Sequence, residues 1–231
     1  IDKKRNRSAE GAFQAYTVLL AHMAAPIPGT LSYESAAVLP LGLSTAACGL
    51  FQKDHLALAY PSAAPKPMGK TLLVWGGSTS VGSNAIQLAV AAGYGVIATS
   101  AEACLDIVHG CQGDKFVSMA SFPVSFQKFT VGSGIGFKLL LQIPKLLSFN
   151  LSRAVKSRTR GIRTNFIFGT TLMDNEVGRM IYIDFLPEAL AECRYAAAPD
   201  PHIIGKGLEF IQAGFGVQRK GVSAQKVVVS L

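Results

Sequence analysis

The spacing of apolar residues changes after a proline-rich stretch, PSAAPKPMGK, at 61–70. That stretch reads as a surface loop. Directly beyond it, TLLVW at 71–75 is a short unbroken apolar run, the pattern of a strand buried on both faces. From there the apolar positions are Val81, Ala85, Leu88, Ala89 and Ala92, which is helical spacing. Gly93 is placed to end that helix, and GVIATS at 95–100 is a second buried-strand candidate. Strand, turn, helix and strand together predict a βαβ unit.

The flanks carry weaker patterns. GAFQAYTVLLAHMAAPI at 11–27 reads as a strand followed by irregular chain near Pro26 and Pro28. In LSYESAAVLP, Ser32 is a candidate N-cap, with Glu34 and Ser35 in the first turn. LGLSTAACGLFQ at 41–52 is small and apolar and suits a closely packed helix. Past the βαβ unit, AEACLDIVHGC at 101–111 predicts a helix and KFVSMAS at 115–121 a strand, while 122–164 resist assignment. NFIFG at 165–169 is a short strand. Asp174 is a candidate cap for a helix that runs toward Leu186 and is broken at Pro187. GLEFIQAGF at 207–215 is amphipathic through Leu208, Ile211 and Phe215, and QKVVVSL at 225–231 is a terminal strand. The fold class these elements predict is α/β, with parallel strands joined in a βαβ unit.

The turn inside the βαβ unit is GGSTSVG, Gly76 to Gly82. A diphosphate needs close backbone approach, free N–H groups and the positive end of a helix dipole, and a strand feeding a glycine turn and a helix supplies all three. The usual fingerprint is GxGxxG. Gly77 and Gly82 fill its outer positions, but Thr79 stands where the middle glycine belongs. A threonine there either points elsewhere or bonds the phosphate through its hydroxyl. Ser78, Thr79 and Ser80 offer hydroxyls and amides, and Gly82 permits close helix–strand packing. The end of the next strand bears on the cofactor. It reads Ala98, Thr99, Ser100, with no carboxylate until Glu102. An acid there would hold the ribose 2′-hydroxyl of NAD, whereas small hydroxyls leave room for the 2′-phosphate of NADP(H). Two ordinary polar residues at a strand end would look the same.

Composition bounds this picture. Of 231 residues, 49% are apolar and only 16% charged, which excludes a disordered chain. The formal charge of +8 attracts anions without choosing among nucleotides, nucleic acid and membrane surfaces. Cys48, Cys104, Cys111 and Cys193 form no CxxC pair and no zinc-ligand spacing, so free thiols in a reduced compartment and no metal are expected. The N-terminus is polar and basic and lacks an initiator Met, so the chain is expected to be a fragment and, without a signal peptide, cytoplasmic. The best membrane candidate, GFKLLLQIPKLLSFNL at 136–151, carries Lys138, Pro144 and Lys145 and is too short to span. A basic block of Arg153, Lys156, Arg158, Arg160 and Arg163 raises nucleic-acid binding as a rival role, but no aromatics interleave with it. His22, His55, His109 and His202 are scattered, and Tyr16, Tyr33 and Tyr182 read as packing residues before proton donors.

Four stretches together resemble a known family: GAFQAYTVL, SYESAAVLPLGLSTAACGLF, GKTLLVWGGSTSVGSNAIQLAVAAGY and KGVSAQKVVVSL. They are similar to the medium-chain dehydrogenase/reductase superfamily, and within it to the zinc-independent quinone and enoyl reductases of the fungal trans-acting type. The resemblance implies a Rossmann domain beside a GroES-like barrel, with NADPH in the cleft between them. It implies hydride transfer to an activated C=C bond or a quinone on a small-molecule or acyl-type substrate, and the possibility of a homodimer. By the same resemblance, Ser78, Thr79, Ser80 and Val81 would hold the pyrophosphate, and Thr99 and Ser100 would face the 2′-phosphate. Thr45 would sit near the nicotinamide, Phe166, Ile167, Phe168, Gly169 and Thr170 would line the substrate side, and Val227 and Val228 would close over the cofactor. Residues 1–40 would be a remnant of the GroES-like domain, 41–168 the nucleotide-binding domain with a segment lost near 100/101, and 169–231 the return to the first domain. Two other outcomes stay open: a relative or fragment that keeps the fold without turnover, and a nucleic-acid-binding module through 153–163.

Overall fold

Strand β1 (Thr71–Trp75) lies parallel to β2 (Gly95–Thr99), in register from Thr71 opposite Gly95 to Trp75 opposite Thr99. Helix α3 (Ser80–Ala91) connects them, so the predicted βαβ unit is present. Its strands are not buried on both faces as expected: only Val74 of β1 is buried and Ile97 of β2 is 58% exposed, because among the described residues each strand pairs only with the other. Gly93 ends the helix with φ of +83°, and a Cβ there would overlap the carbonyl oxygen of Lys66. That position demands glycine twice, for its backbone and for its space. The computed structural model describes residues 9, 11, 16–99, 115–120 and 161–231, with 144, 147, 151, 154, 155, 158 and 159 between them. The expected helix at 101–111, Ser100 and most of the 136–151 segment lie outside the described residues.

Two further parallel pairs follow among the described residues. β3 (Lys115–Met119) pairs with β4 (Ile162–Phe166), and β5 (Asp200–Lys206) pairs with β6 (Gln225–Ser230). β4 begins earlier than the pattern NFIFG suggests. Its end is set by Phe168, whose carbonyl accepts the Thr171 N–H and hydroxyl and opens a 3-10 turn at Gly169–Asp174. β5 escaped the sequence reading because Asp200, Pro201 and His202 give it no apolar run.

Helices α1 (Tyr33–Ala36) and α2 (Leu39–Phe51) precede the βαβ unit. Ser32 caps α1 as expected, its hydroxyl accepting the Ser35 N–H at 3.2 Å. No strand forms between residues 16 and 27; Ala21–Met23 is a 3-10 turn, and the run packs Met23 against Gly178 instead of meeting a sheet edge. After the turn at 169–174, α4 (Glu176–Arg179) starts with Asn175 as its cap, not Asp174. It continues through a π turn at Met180–Phe185 into α5 (Leu186–Ala191). Pro187 does not break this helix. The Leu186 N–H already reaches back to the Ile181 carbonyl, and the wider π turn accommodates the ring and its missing donor. Helix α6 (Ile211–Lys220) lies between β5 and β6.

The core is helical. Leu39, Leu43, Ala46, Ala47, Leu50 and Phe51 of α2, Leu88 and Ala89 of α3, and Val177, Ile181, Tyr182, Phe185 and Leu190 of the α4–α5 stretch bury one another. The span 33–51 is the one described helical stretch long and apolar enough to cross a bilayer, but it is broken at Ala37–Val38 and its second half is this core.

His55 joins the core to β3. It is 7% exposed, its Nδ1 lies 3.2 Å from the Ser118 hydroxyl, and its ring meets Phe116 edge-on. Burial pulls its pKa below the ordinary 6.5, and the Asp54 carboxylate opposes this without offsetting it. The folded state therefore holds the ring neutral. Its contribution is complete above the unfolded value near 6.5 and is lost as pH falls from there toward the lower folded value. Urea midpoints should decline below that pH, and His55→Gln should flatten the decline at a cost of ~1–2 kcal/mol at neutral pH. Parallel pH profiles for the two proteins would show that His55 is not the titrating group.

Candidate functional site

The turn between β1 and α3 is shaped by three glycines for three different reasons. Gly76 has φ of +68°, a left-handed conformation that favours glycine. Gly77 lies between β2 and α3, where a Cβ would stand 3.0 Å from both Ala98 Cβ and Ile86 Cδ1. A Cβ on Gly82 would overlap the Gly76 carbonyl oxygen and stand 2.8 Å from its carbon. The first turn of α3 is thus pressed directly onto the end of the strand.

Thr79, in the middle position of the fingerprint, points into the turn. Its hydroxyl donates to the Gly76 carbonyl at 2.8 Å and accepts the Gly82 N–H at 3.0 Å, and its own N–H goes to Gly76 at 2.9 Å. It is the N-cap of α3 and closes the turn from within. Its hydroxyl and amide are therefore engaged, which leaves the phosphate contact expected of them to its neighbours. The Ser80 hydroxyl is buried without a partner among the described residues and faces Gly42 of α2, where a Cβ would stand 2.7 Å from the Ser80 carbonyl oxygen. Ser78 and Thr79 are the exposed residues of the turn, and the amides of Ser80 and Val81 meet no acceptor among the described residues. Two open amides at the positive end of a helix of 12 residues suit an anion.

The expected substrate-side residues divide. Thr45, on α2, donates to Leu41 at 2.8 Å, and a Cβ on Gly169 would stand 3.3 Å from its hydroxyl oxygen. The structure therefore brings Thr45 and Gly169 together from distant parts of the chain. Phe168 and Thr170 beside them are exposed. Ile167 is turned the other way, its Cδ1 within 2.5 Å of where a Cβ on Gly49 would sit, so it packs α2. Phe166 is half-buried in β4 opposite Met119. Cys48 is buried behind the same corner, and burial raises its thiol pKa.

Val227 and Val228 face opposite sides of β6. Successive side chains of a strand face opposite sides. Val227 and Val229 line a cavity of about 390 Å³ with Leu208, Ile211 and Phe215, while Val228 packs against the helical core. The Thr99 backbone pairs with Trp75 in β2, and its side chain lies outside the described residues, as does Ser100. Of the basic block, Arg163 sits over the Phe116 ring at 5.3 Å, while Arg153, Lys156 and Arg160 are outside the described residues.

Sequence reasoning missed the polar groups buried around α3 and α2. Asn84 is fully buried on the apolar stripe of α3, Tyr195 bonds it, and Ser44 meets the Tyr182 hydroxyl at 2.7 Å. An asparagine among Val81, Ala85 and Leu88 is the signal that marks the first of these.

No protein-family model matches the chain. Individual proteins do. Dehydrogenase pigH of Monascus ruber is 42% identical over 278 residues, covering 100% of this chain and 74% of that protein. The trans-enoyl reductase himH of Aspergillus japonicus is 36% identical over 236 residues, covering 95% of this chain and 68% of its own length. The quinone oxidoreductase of Thermus thermophilus, solved alone and with NADPH, superposes with a TM-score of 0.51 at 18% identity over 89% of this chain and 68% of that one. The structural likeness speaks for the fold and the sequence likeness for descent. Together they place the chain in the medium-chain dehydrogenase/reductase superfamily of oxidoreductases, beside fungal dehydrogenases and trans-enoyl reductases.

Proposed function

We propose that the chain is an NADP(H)-dependent, zinc-independent oxidoreductase that reduces an activated C=C bond or a quinone. The observation that carries this reading is the turn at Gly76–Gly82. Its backbone is pressed close by glycines, its threonine hydroxyl is engaged by Gly76 and Gly82, and the Ser80 and Val81 amides stand at a helix N-terminus with no acceptor among the described residues. Those two amides, with the Ser78 hydroxyl, would hold the diphosphate. The choice of NADP(H) is supported by the absence of a carboxylate at the end of β2, by the charge of +8 and by the NADPH complex of the Thermus thermophilus enzyme. When bound, the reduced nicotinamide supplies the hydride. Thr45 and Gly169, held together with Phe168 and Thr170 exposed beside them, would border the substrate. The similarity to himH, a trans-enoyl reductase, supports the enoyl side of the proposal.

Thermal unfolding tests the reading. At about 100 times its Kd, NADPH should raise the Tm by roughly 5 °C or more, and NADH by less. No shift with either cofactor would remove the nucleotide site. A larger shift with NADH would overturn the 2′-phosphate preference. Protection without turnover of enones or quinones would leave a binding fold with no catalysis.

A further inference from the structure

Asn84 is 0% exposed, although it sits among apolar neighbours one turn into α3. Its side-chain Oδ1 accepts the Tyr195 hydroxyl at 2.6 Å. Its Nδ2 donates to the Ser80 carbonyl at 2.6 Å and to the Ala198 carbonyl at 3.3 Å. Tyr195 is 3% exposed, its ring lies edge-on to Phe185, and burial raises its pKa well above the ordinary value, so the hydroxyl keeps its proton. One turn further, Gln87 donates to the Ala196 carbonyl at 3.1 Å and accepts the Ala196 N–H at 2.7 Å. Two side-chain amides of α3 therefore clasp the segment 195–198 that leads into β5.

The first of these bonds reaches the phosphate turn. The Ser80 carbonyl and the Val81 N–H belong to one planar peptide unit and point in opposite directions. A short bond on the carbonyl fixes the plane, aims the Val81 N–H away from Asn84 and polarises it as a donor. Tyr195 fixes the rotation of the Asn84 amide that makes this bond. We propose that Asn84 and Tyr195 are positioning residues for the diphosphate: through the Ser80–Val81 peptide, the return segment before β5 sets how well the turn grips the cofactor. This rests on reading the turn as the diphosphate site.

The test uses the full chain, three variants and three probes. Asn84→Leu keeps the branched shape and removes both polar atoms, and Tyr195→Phe removes one hydroxyl. The double variant Asn84→Leu/Tyr195→Phe leaves a matched apolar pair with no orphaned hydroxyl. Titrations with NADPH, ADP and adenosine 2′-monophosphate read the affinity, and urea unfolding reads stability. Asn84→Leu should weaken NADPH and ADP about tenfold and leave adenosine 2′-monophosphate, which has no diphosphate, within a factor of about two. Tyr195→Phe should weaken the same two ligands by a smaller factor. The double variant should recover stability relative to Asn84→Leu yet bind NADPH and ADP as weakly. Recovery of affinity together with stability, or equal losses for all three probes, would reduce the pair to a structural role and overturn the inference. Should Asn84→Leu fail to fold, unchanged ADP affinity in Tyr195→Phe would overturn it. A wild-type chain that binds neither NADPH nor ADP would refute the site itself, a result distinct from wild-type binding that the variants do not alter.

Discussion

Gly82→Ala is expected to destabilise the chain by ~3 kcal/mol or more and to abolish NADPH binding. The new Cβ has nowhere to go. It would overlap the Gly76 carbonyl oxygen, and the Gly77 Cα lies 3.0 Å away. Backbone atoms cannot move aside as the tip of a flexible side chain can, so the first turn of α3 must lift from the strand. That lift breaks the Thr79 cap, which joins the Gly82 N–H to the Gly76 carbonyl through one hydroxyl. It also redirects the two open amides. Gly216→Ala serves as the control, because Gly216 lies inside α6 with nothing within 4 Å of an added Cβ. That change should stabilise by up to ~1 kcal/mol through helix propensity. Urea unfolding and an NADPH titration on both variants give the answer. A Gly82→Ala protein with the wild-type midpoint and affinity would show that the helix does not sit as close as described.

The second large effect separates the core from the site. Ile181→Ala is expected to cost ~3–4 kcal/mol, the range for a large-to-small change at a fully buried position. Ile181 is 0% exposed and lies in the π turn, surrounded by the residues of α2 and α4–α5 that make the core. The urea midpoint should fall while the slope is preserved. At temperatures where the variant stays folded, its NADPH affinity should remain within a factor of about two, since the loss of core volume leaves the Thr79 cap intact. A loss under about 1 kcal/mol would mean that this helix collapses onto the space or packs more loosely than its burial indicates.

The βαβ unit was legible because its evidence is local. An unbroken apolar run in TLLVW, helical spacing from Val81 and a glycine at 93 are properties of neighbouring residues, and the backbone answers them within one or two turns; how deeply the strand is buried depends on distant neighbours, and only Val74 of it is buried. The cap at Ser32 was legible for the same reason. Thr79 was legible only as an alternative. Its position in the fingerprint is local, but the direction of its hydroxyl depends on where the Gly76 carbonyl comes to lie. Pro187 misled because a proline's cost depends on the helix around it, and the π turn before it removes that cost. Val227 and Val228 were paired by the resemblance; the strand's alternation sends their side chains to opposite faces.

By itself, then, the amino-acid order determined the fold class, the glycine-rich turn between β1 and α3 and, through resemblance, the superfamily that the comparisons bear out. Each of these is written in short-range spacing or in a recognisable run of residues. Only the tertiary structure decided which atoms of the turn remain open, that Thr45 meets Gly169, and that Asn84 ties the turn to Tyr195, 111 residues away. Those facts depend on contacts between distant segments, and a buried polar pair has no periodic signature until both partners are brought into the same dry space.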